Sequence, residues 1–118
     1  IENHSRTGVC FDTCHAFAAG YTLNAESGMQ RMADEIERFV GAGKVKLIHL
    51  NDSKGASGSR IDRHEHIGLG RIGAQGLQRF INCGTFRDAP LILETPKKQE
   101  SDDPANLAKA RRMMRMKR

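Results

Sequence analysis

Val45-Lys46-Leu47-Ile48-His49-Leu50-Asn51-Asp52 is a short apolar run that reaches a histidine and then turns polar. Two other stretches behave alike: Thr7 to Asp12, followed by Thr13-Cys14-His15, and Pro90 to Thr95, where Glu94 follows Leu91-Ile92-Leu93. Apolar runs of this length, bounded by turn-forming residues, read as buried strands. Parallel strands present all their C-terminal ends on one rim, so acids and histidines far apart in sequence can converge there.

Helices are expected between these strands. Met29, Met32, Ala33, Ile36, Phe39 and Val40 recur at helical spacing, Ser27 with Gln30 reads as a capping box, and Gly41 and Gly43 supply a stop. Leu77, Phe80 and Ile81 mark a second, shorter helix. Asp103-Pro104 reads as N-cap and first residue of a last helix with the stripe Leu107, Ala110, Met114. Between the second strand and second helix, 51–71 is rich in Gly and Ser and longer than a plain connection, as functional loops are. Alternating strands and helices with short links imply parallel pairing and right-handed crossovers, the material of a barrel or a doubly wound sheet.

Size and composition set bounds. A complete β/α barrel needs about 250 residues, and this chain has 118, fewer than half. No apolar segment of signal or transmembrane length occurs near Ile1–Arg6, so no membrane is expected as a partner. A net charge of +5 favours polyanionic partners, weakly. Cys10, Cys14 and Cys83 form an odd set without a disulfide framework, which fits a reducing compartment and an intracellular, cytoplasmic protein.

Each constellation of acids and histidines has a plain reading beside the chemical one. Asp12 and His15 alone read as a cap and its neighbour at a turn, and His49 alone as a hydrogen-bonded core histidine. In Asp62-Arg63-His64 an extended backbone aims the acid and the imidazole to one side and Arg63 to the other, although a solvated charge run has the same composition. Glu94 is different. A carboxylate after such an apolar run is costly to bury unless it is paired or binds a cation. Taken together, three histidines and three carboxylates at one end of three strands point to a divalent metal, and mixed N and O donors suit zinc. Cys14 is a lesser ligand candidate; Cys10 reads as core, and His4 and His66 as surface residues. Lys54, Arg60, Arg63 and Arg71 could meet phosphates or merely solvate the loop. The basic tail of Lys109, Arg111, Arg112, Arg115, Lys117 and Arg118, within a C-terminal helix and tail over 97–118, reads as a solvated helix end.

Four blocks of this sequence closely resemble the signatures of the endonuclease IV family of apurinic/apyrimidinic endonucleases. They are Gly8-Val9-Cys10-Phe11-Asp12-Thr13-Cys14-His15-Ala16-Phe17-Ala18-Ala19-Gly20-Tyr21, His49-Leu50-Asn51-Asp52-Ser53-Lys54, Gly58 to Gly68 around Asp62-Arg63-His64, and Pro90-Leu91-Ile92-Leu93-Glu94-Thr95. Their order and separation match as well, over roughly Glu2 to Thr95.

The resemblance implies an α/β fold, about three β/α units forming the C-terminal part of a TIM-type barrel that is incomplete as given. It implies a zinc-dependent endonuclease that cuts the DNA backbone 5′ to abasic sites in base-excision repair, a nucleoid-associated monomer when full length. By this likeness Asp12, His15, His49, Asp62, His64 and Glu94 are zinc ligands, Glu94 also being catalytic, and Lys54, Arg60 and Arg63 face double-stranded DNA. His15, Asp62 and His64 would hold one zinc, and Asp12, His49 and Glu94 a second of the three. The family's bridging glutamate and two further histidines have no counterpart here, so a C-terminal fragment with part of the cluster is expected. A divalent-metal sugar isomerase on a similar barrel, or an inactive metal- or DNA-binding remnant, are the other readings. A further metal on the loop at Asp62 and His64 argues against the isomerase.

Overall fold

A computed structural model of the chain describes residues 7–115. Strand β1, Val9–Asp12, lies beside β2, Val45–His49, and β2 beside β5, Leu91–Ile92, all parallel, in the order β1-β2-β5. Helices α1 (Thr13–Ala19) and α2 (Glu26–Phe39) connect β1 to β2. Helix α3 (Gly73–Ile81) lies between β2 and β5, and α4 (Asp102–Arg115) follows β5. The chain thus forms an α/β segment of a barrel, a parallel sheet with helices on one face, as expected from the alternation of elements.

Strand alternation separates the two faces of the sheet. Phe11, Ile48 and Leu91 are in register and face the helices. There Phe11 packs with Phe80 and Phe86, the ring centroids lying 4.4–5.6 Å apart, over a core that includes Phe17, Leu23, Met32, Ile48, Leu50, Ile67 and Leu77. The opposite face carries Cys10, Asp12, His49 and Ile92, and both Cys10 and Ile92 are exposed. The expectation that Cys10 is core therefore fails, because no described residue covers that face.

Local capping accounts for several boundaries that pattern alone misplaces. Helix α1 begins directly after β1 because the Asp12 side chain accepts the His15 amide at 3.0 Å, capping the new helix. It ends at Gly20, whose φ of 122° suits a residue without a side chain. The carbonyls of Phe17 and Ala18 also accept the amides of Gly58 and Arg60, which pins the long loop to the end of α1. Helix α2 starts one residue before Ser27, after Ala25 with no side-chain cap, so the capping box does not form. Turns at Tyr21–Leu23 and Thr22–Ala25 have already bent the chain there, and the first helical bond reaches the Ala25 carbonyl. Met29, Met32 and Ala33 are buried as expected, whereas Phe39 and Val40, at the end of the helix, are exposed.

Helix α4 opens at Asp102, two residues before the expected Pro104. The Ser101 carbonyl accepts from Ala105, and Pro104 sits within the first turn, where its missing N–H costs nothing. Its buried side is Asn106, Ala110 and Met113; Leu107 and Met114 are 42% and 48% exposed, contrary to the stripe read from sequence. Asn106 sets this orientation, since its Oδ1 accepts the Ile67 amide and its Nδ2 reaches His66 Nδ1. His66 is accordingly part-buried rather than a plain surface residue, and His4 lies outside the described residues.

The loop after β2 is ordered around a two-residue antiparallel ribbon, β3 (Asp52–Ser53) with β4 (His64–Glu65). Asp52 is fully buried at its root and accepts amides from Ser53, Gly68, Gly70, Ile72 and Gly73 at 2.8–3.3 Å. Two of these, Ile72 and Gly73, are the first donors of α3, whose own N-cap residue, Ile72, makes no side-chain cap. Asp52 caps α3 from twenty residues upstream.

Candidate metal centre

Parallel register places the first two site residues side by side: Asp12 is the direct partner of His49 at the C-terminal ends of β1 and β2. Glu94 reaches them because the ladder beyond Ile92 is continued by a side chain. The buried Asn51 accepts the Glu94 amide on Oδ1 at 2.8 Å, while Thr13 Oγ1 donates to the Asn51 carbonyl at 2.7 Å and accepts its amide at 2.9 Å. That substitution also explains why β5 is two residues long rather than running to Thr95. His49 Nδ1 lies 2.7 Å from Glu94 Oε1 and 3.8 Å from Asp12 Oδ2. One donor atom from each of the three falls within 4.8 Å of the others.

The loop brings a second group to the same rim. His64 leads β4, and its Nδ1 is 2.9 Å from the Glu94 carbonyl oxygen. Since a carbonyl only accepts, Nδ1 is the donor in that contact, and the ring's other nitrogen is Nε2. That Nε2 sits 3.7 Å from Asp12 Oδ2, linking the groups. Asp62 Oδ2 is 3.3 Å from His15 Nδ1, both side chains being largely exposed. Asp62 and His64 also cluster with Cys14 within 4.8 Å. All six sequence-derived residues are therefore joined in one chain of close contacts, and Cys14 sits among them. Its thiol donates to the Arg63 carbonyl at 3.4 Å, and burial, with Asp62 and Asp12 nearby, pushes it up to about 12.

This donor set fits zinc chemically, with imidazole and carboxylate in mixed company. Ligand atoms around a tetrahedral zinc stand roughly 3.3–3.6 Å apart. The Asp12–His49 and His15–Asp62 separations are near that spacing. The 2.7 Å contact of His49 with Glu94 is a hydrogen bond, which has to open slightly to admit an ion.

Lys54, Arg60, Arg63 and Arg71 are exposed on the loop. Arg60 has φ 62°, uncommon for a residue with a side chain, and is held there by the hydrogen bond that its backbone N–H donates to the Ala18 carbonyl. Sequence reasoning passed over Thr13, Asn51, Asp52 and Asn106, which are buried and tie the ligand-bearing segments together. The available signal was a polar triplet, Asn51-Asp52-Ser53, directly after a buried strand, matched by glycines at 68, 70 and 73.

Known proteins share this fold. The family described as the xylose isomerase-like TIM barrel matches residues 1–117. The chain is 46% identical over 113 residues to "Probable endonuclease 4" of Methanoculleus marisnigri, covering 96% of this chain and 40% of that protein. It is 48% identical over 109 residues to the protein of that name from Persephonella marina, with 92% and 38% covered. The crystal structure of endonuclease IV from Thermus thermophilus superposes with a TM-score of 0.82 at 39% identity, over 95% of this chain and 41% of that one. The chain thus spans about two fifths of the length of the curated relatives it matches. No helix among the described residues is long and apolar enough to cross a membrane. With its parallel strands, helical crossovers and rim of acids and histidines, the chain belongs to the xylose isomerase-like TIM barrel family and, within it, to the endonuclease IV family.

Proposed function

We propose that this chain supplies part of the active site of a zinc-dependent endonuclease that hydrolyses the DNA phosphodiester 5′ to abasic sites in base-excision repair. One observation carries the reading: seven donors from three strand ends, helix α1 and one loop meet on a single rim, in the groups Asp12–His49–Glu94 and Cys14–Asp62–His64, with His15 on Asp62. In the proposal Asp12, His49 and Glu94 hold one zinc and His15, Asp62 and His64 another. Remaining ligands of a three-zinc cluster belong to the rest of the barrel, in keeping with the share of the relatives' length that this chain spans.

Phosphodiester hydrolysis needs charge stabilisation on the phosphoryl oxygens and on the leaving alkoxide, and bound zinc supplies that Lewis acidity. The protein's own groups do the rest. Glu94 fixes His49 through Oε1 and His64 through its carbonyl, and its carboxylate, 47% exposed, is placed to hold a proton released at the reacting water. Lys54, Arg60 and Arg63 project from the loop toward solvent, where they contact flanking phosphates of duplex DNA and make binding salt-dependent. As a DNA-repair enzyme the protein works inside the cell, at the nucleoid.

The test is incision of a duplex oligonucleotide with a single abasic site by the full-length protein, with its zinc content measured. Cleavage 5′ to the lesion should be lost in Asp12→Ala and His49→Ala together with zinc. Undiminished cleavage in zinc-depleted protein would contradict the reading.

A further inference from the structure

Asp52 belongs to neither donor group, yet it is the most heavily bonded side chain in the loop that carries Asp62 and His64. We infer that Asp52 is a positioning residue, an anchor that holds the Asp62–His64 donors in ligating geometry, and this rests on the metal reading above. A buried carboxylate is costly unless its oxygens are satisfied, and here both are. Oδ1 accepts from Ser53, Ile72 and Gly73; Oδ2 accepts from Gly68, Gly70 and Gly73.

The consequence is geometric. Asp52 pairs with Glu65, and Ser53 with His64, so the carboxylate sits at the root of the very ribbon that presents His64. Its partners Gly68 to Gly73 form the far end of the same loop, which is thereby drawn shut at one buried point. Lys54 N donates to the Arg63 carbonyl, so the pairing passes on to the segment holding Asp62. Glycine is required where the turn closes: a Cβ on Gly70 would stand 2.6 Å from Asp52 Oδ1 and 2.5 Å from the Ser53 carbonyl, and Gly68 has φ 84°. By contrast, Asp12 and His49 are set by the sheet register and owe nothing to this anchor.

The inference therefore predicts a selective defect. Asp52→Asn keeps the size but turns an NH2 toward amide donors, which breaks the closure. In the full-length protein, zinc affinity measured by competition with a chromophoric chelator should fall about 10–100-fold for one equivalent, as for lost outer-shell support. The other equivalents should keep wild-type affinity. Cobalt(II) substitution should show the visible absorption of one site altered and the rest unchanged, a signature that a general loss of stability does not produce. Gly70→Ala attacks the anchor from the loop side and should reproduce the selective loss even if Asp52→Asn fails to fold. Wild-type affinity for every equivalent in either folded variant overturns the role of Asp52 alone. If the wild-type protein itself binds no zinc, the metal reading and this inference fall together.

Discussion

His49 Nδ1 and Glu94 Oε1 lie 2.7 Å apart, although 45 positions separate them and they sit on strands β2 and after β5. This contact closes the strand-borne donor group, and Asn51 holds it by taking the Glu94 amide. Glu94→Gln should keep the fold and lower affinity for one zinc by at least about 100-fold, more than an outer-shell change costs. Isothermal titration with zinc checks it, and equal affinity would remove Glu94 from the ligand set.

Thr13 offers a test of the scaffold apart from metal. Its hydroxyl both donates to and accepts from the backbone of Asn51, at a fully buried position. Thr13→Val keeps the shape but leaves a buried amide and carbonyl unsatisfied, so unfolding free energy should drop by about 1–3 kcal/mol. Denaturant melts of the two proteins give the number.

Thiol chemistry should separate the cysteines. Cys14 is buried with its thiol pushed up to about 12, chiefly by desolvation, whereas Cys10 is exposed on the uncovered sheet face. In the zinc-free 118-residue chain at pH 8, iodoacetamide followed by mass spectrometry should label Cys10 first and leave Cys14 protected until denaturant is added. Equal labelling rates would show that the rim is open at Cys14.

Acid should loosen the start of α4 and the Glu35 contacts of α2 before the core. Amides of Gln99 and Lys98 hold the Asp102 carboxyl below its ordinary range at the start of α4, and Arg31 with Tyr21 does so for Glu35 on α2. A lowered carboxyl contributes stability above the ordinary carboxylate range and loses it as pH falls through the lowered value. The melting temperature should therefore decline below about pH 4, and Asp102→Asn should flatten part of that decline.

Much of this was legible in the sequence. Alternating apolar runs and helical stripes gave the parallel α/β order, and Asp12, His49 and Glu94 stood at run ends, where parity and parallel pairing bring them together. The four blocks around these residues also carried the family resemblance. Helix α1 is not announced by the sequence because Thr13 to Ala19 is only seven residues long, and Asp12 with His15 reads as a cap at a turn rather than at a helix start. The stripe on α4 was misread because a polar residue, Asn106, is the one buried. Periodicity counts apolar residues, and a hydrogen bond from 39 positions away does not register in it. The same blindness hid Asp52, whose partners are backbone amides that carry no sequence letter of their own.

Zinc-edge anomalous diffraction from crystals of the full-length protein tests the central claim most directly. Peaks are predicted within about 2.0–2.2 Å of donor atoms of Asp12, His49 and Glu94, and at the same distance from His15, Asp62 and His64. Zinc found only elsewhere on a well-ordered molecule, with these six side chains turned to protein or water, would contradict the account.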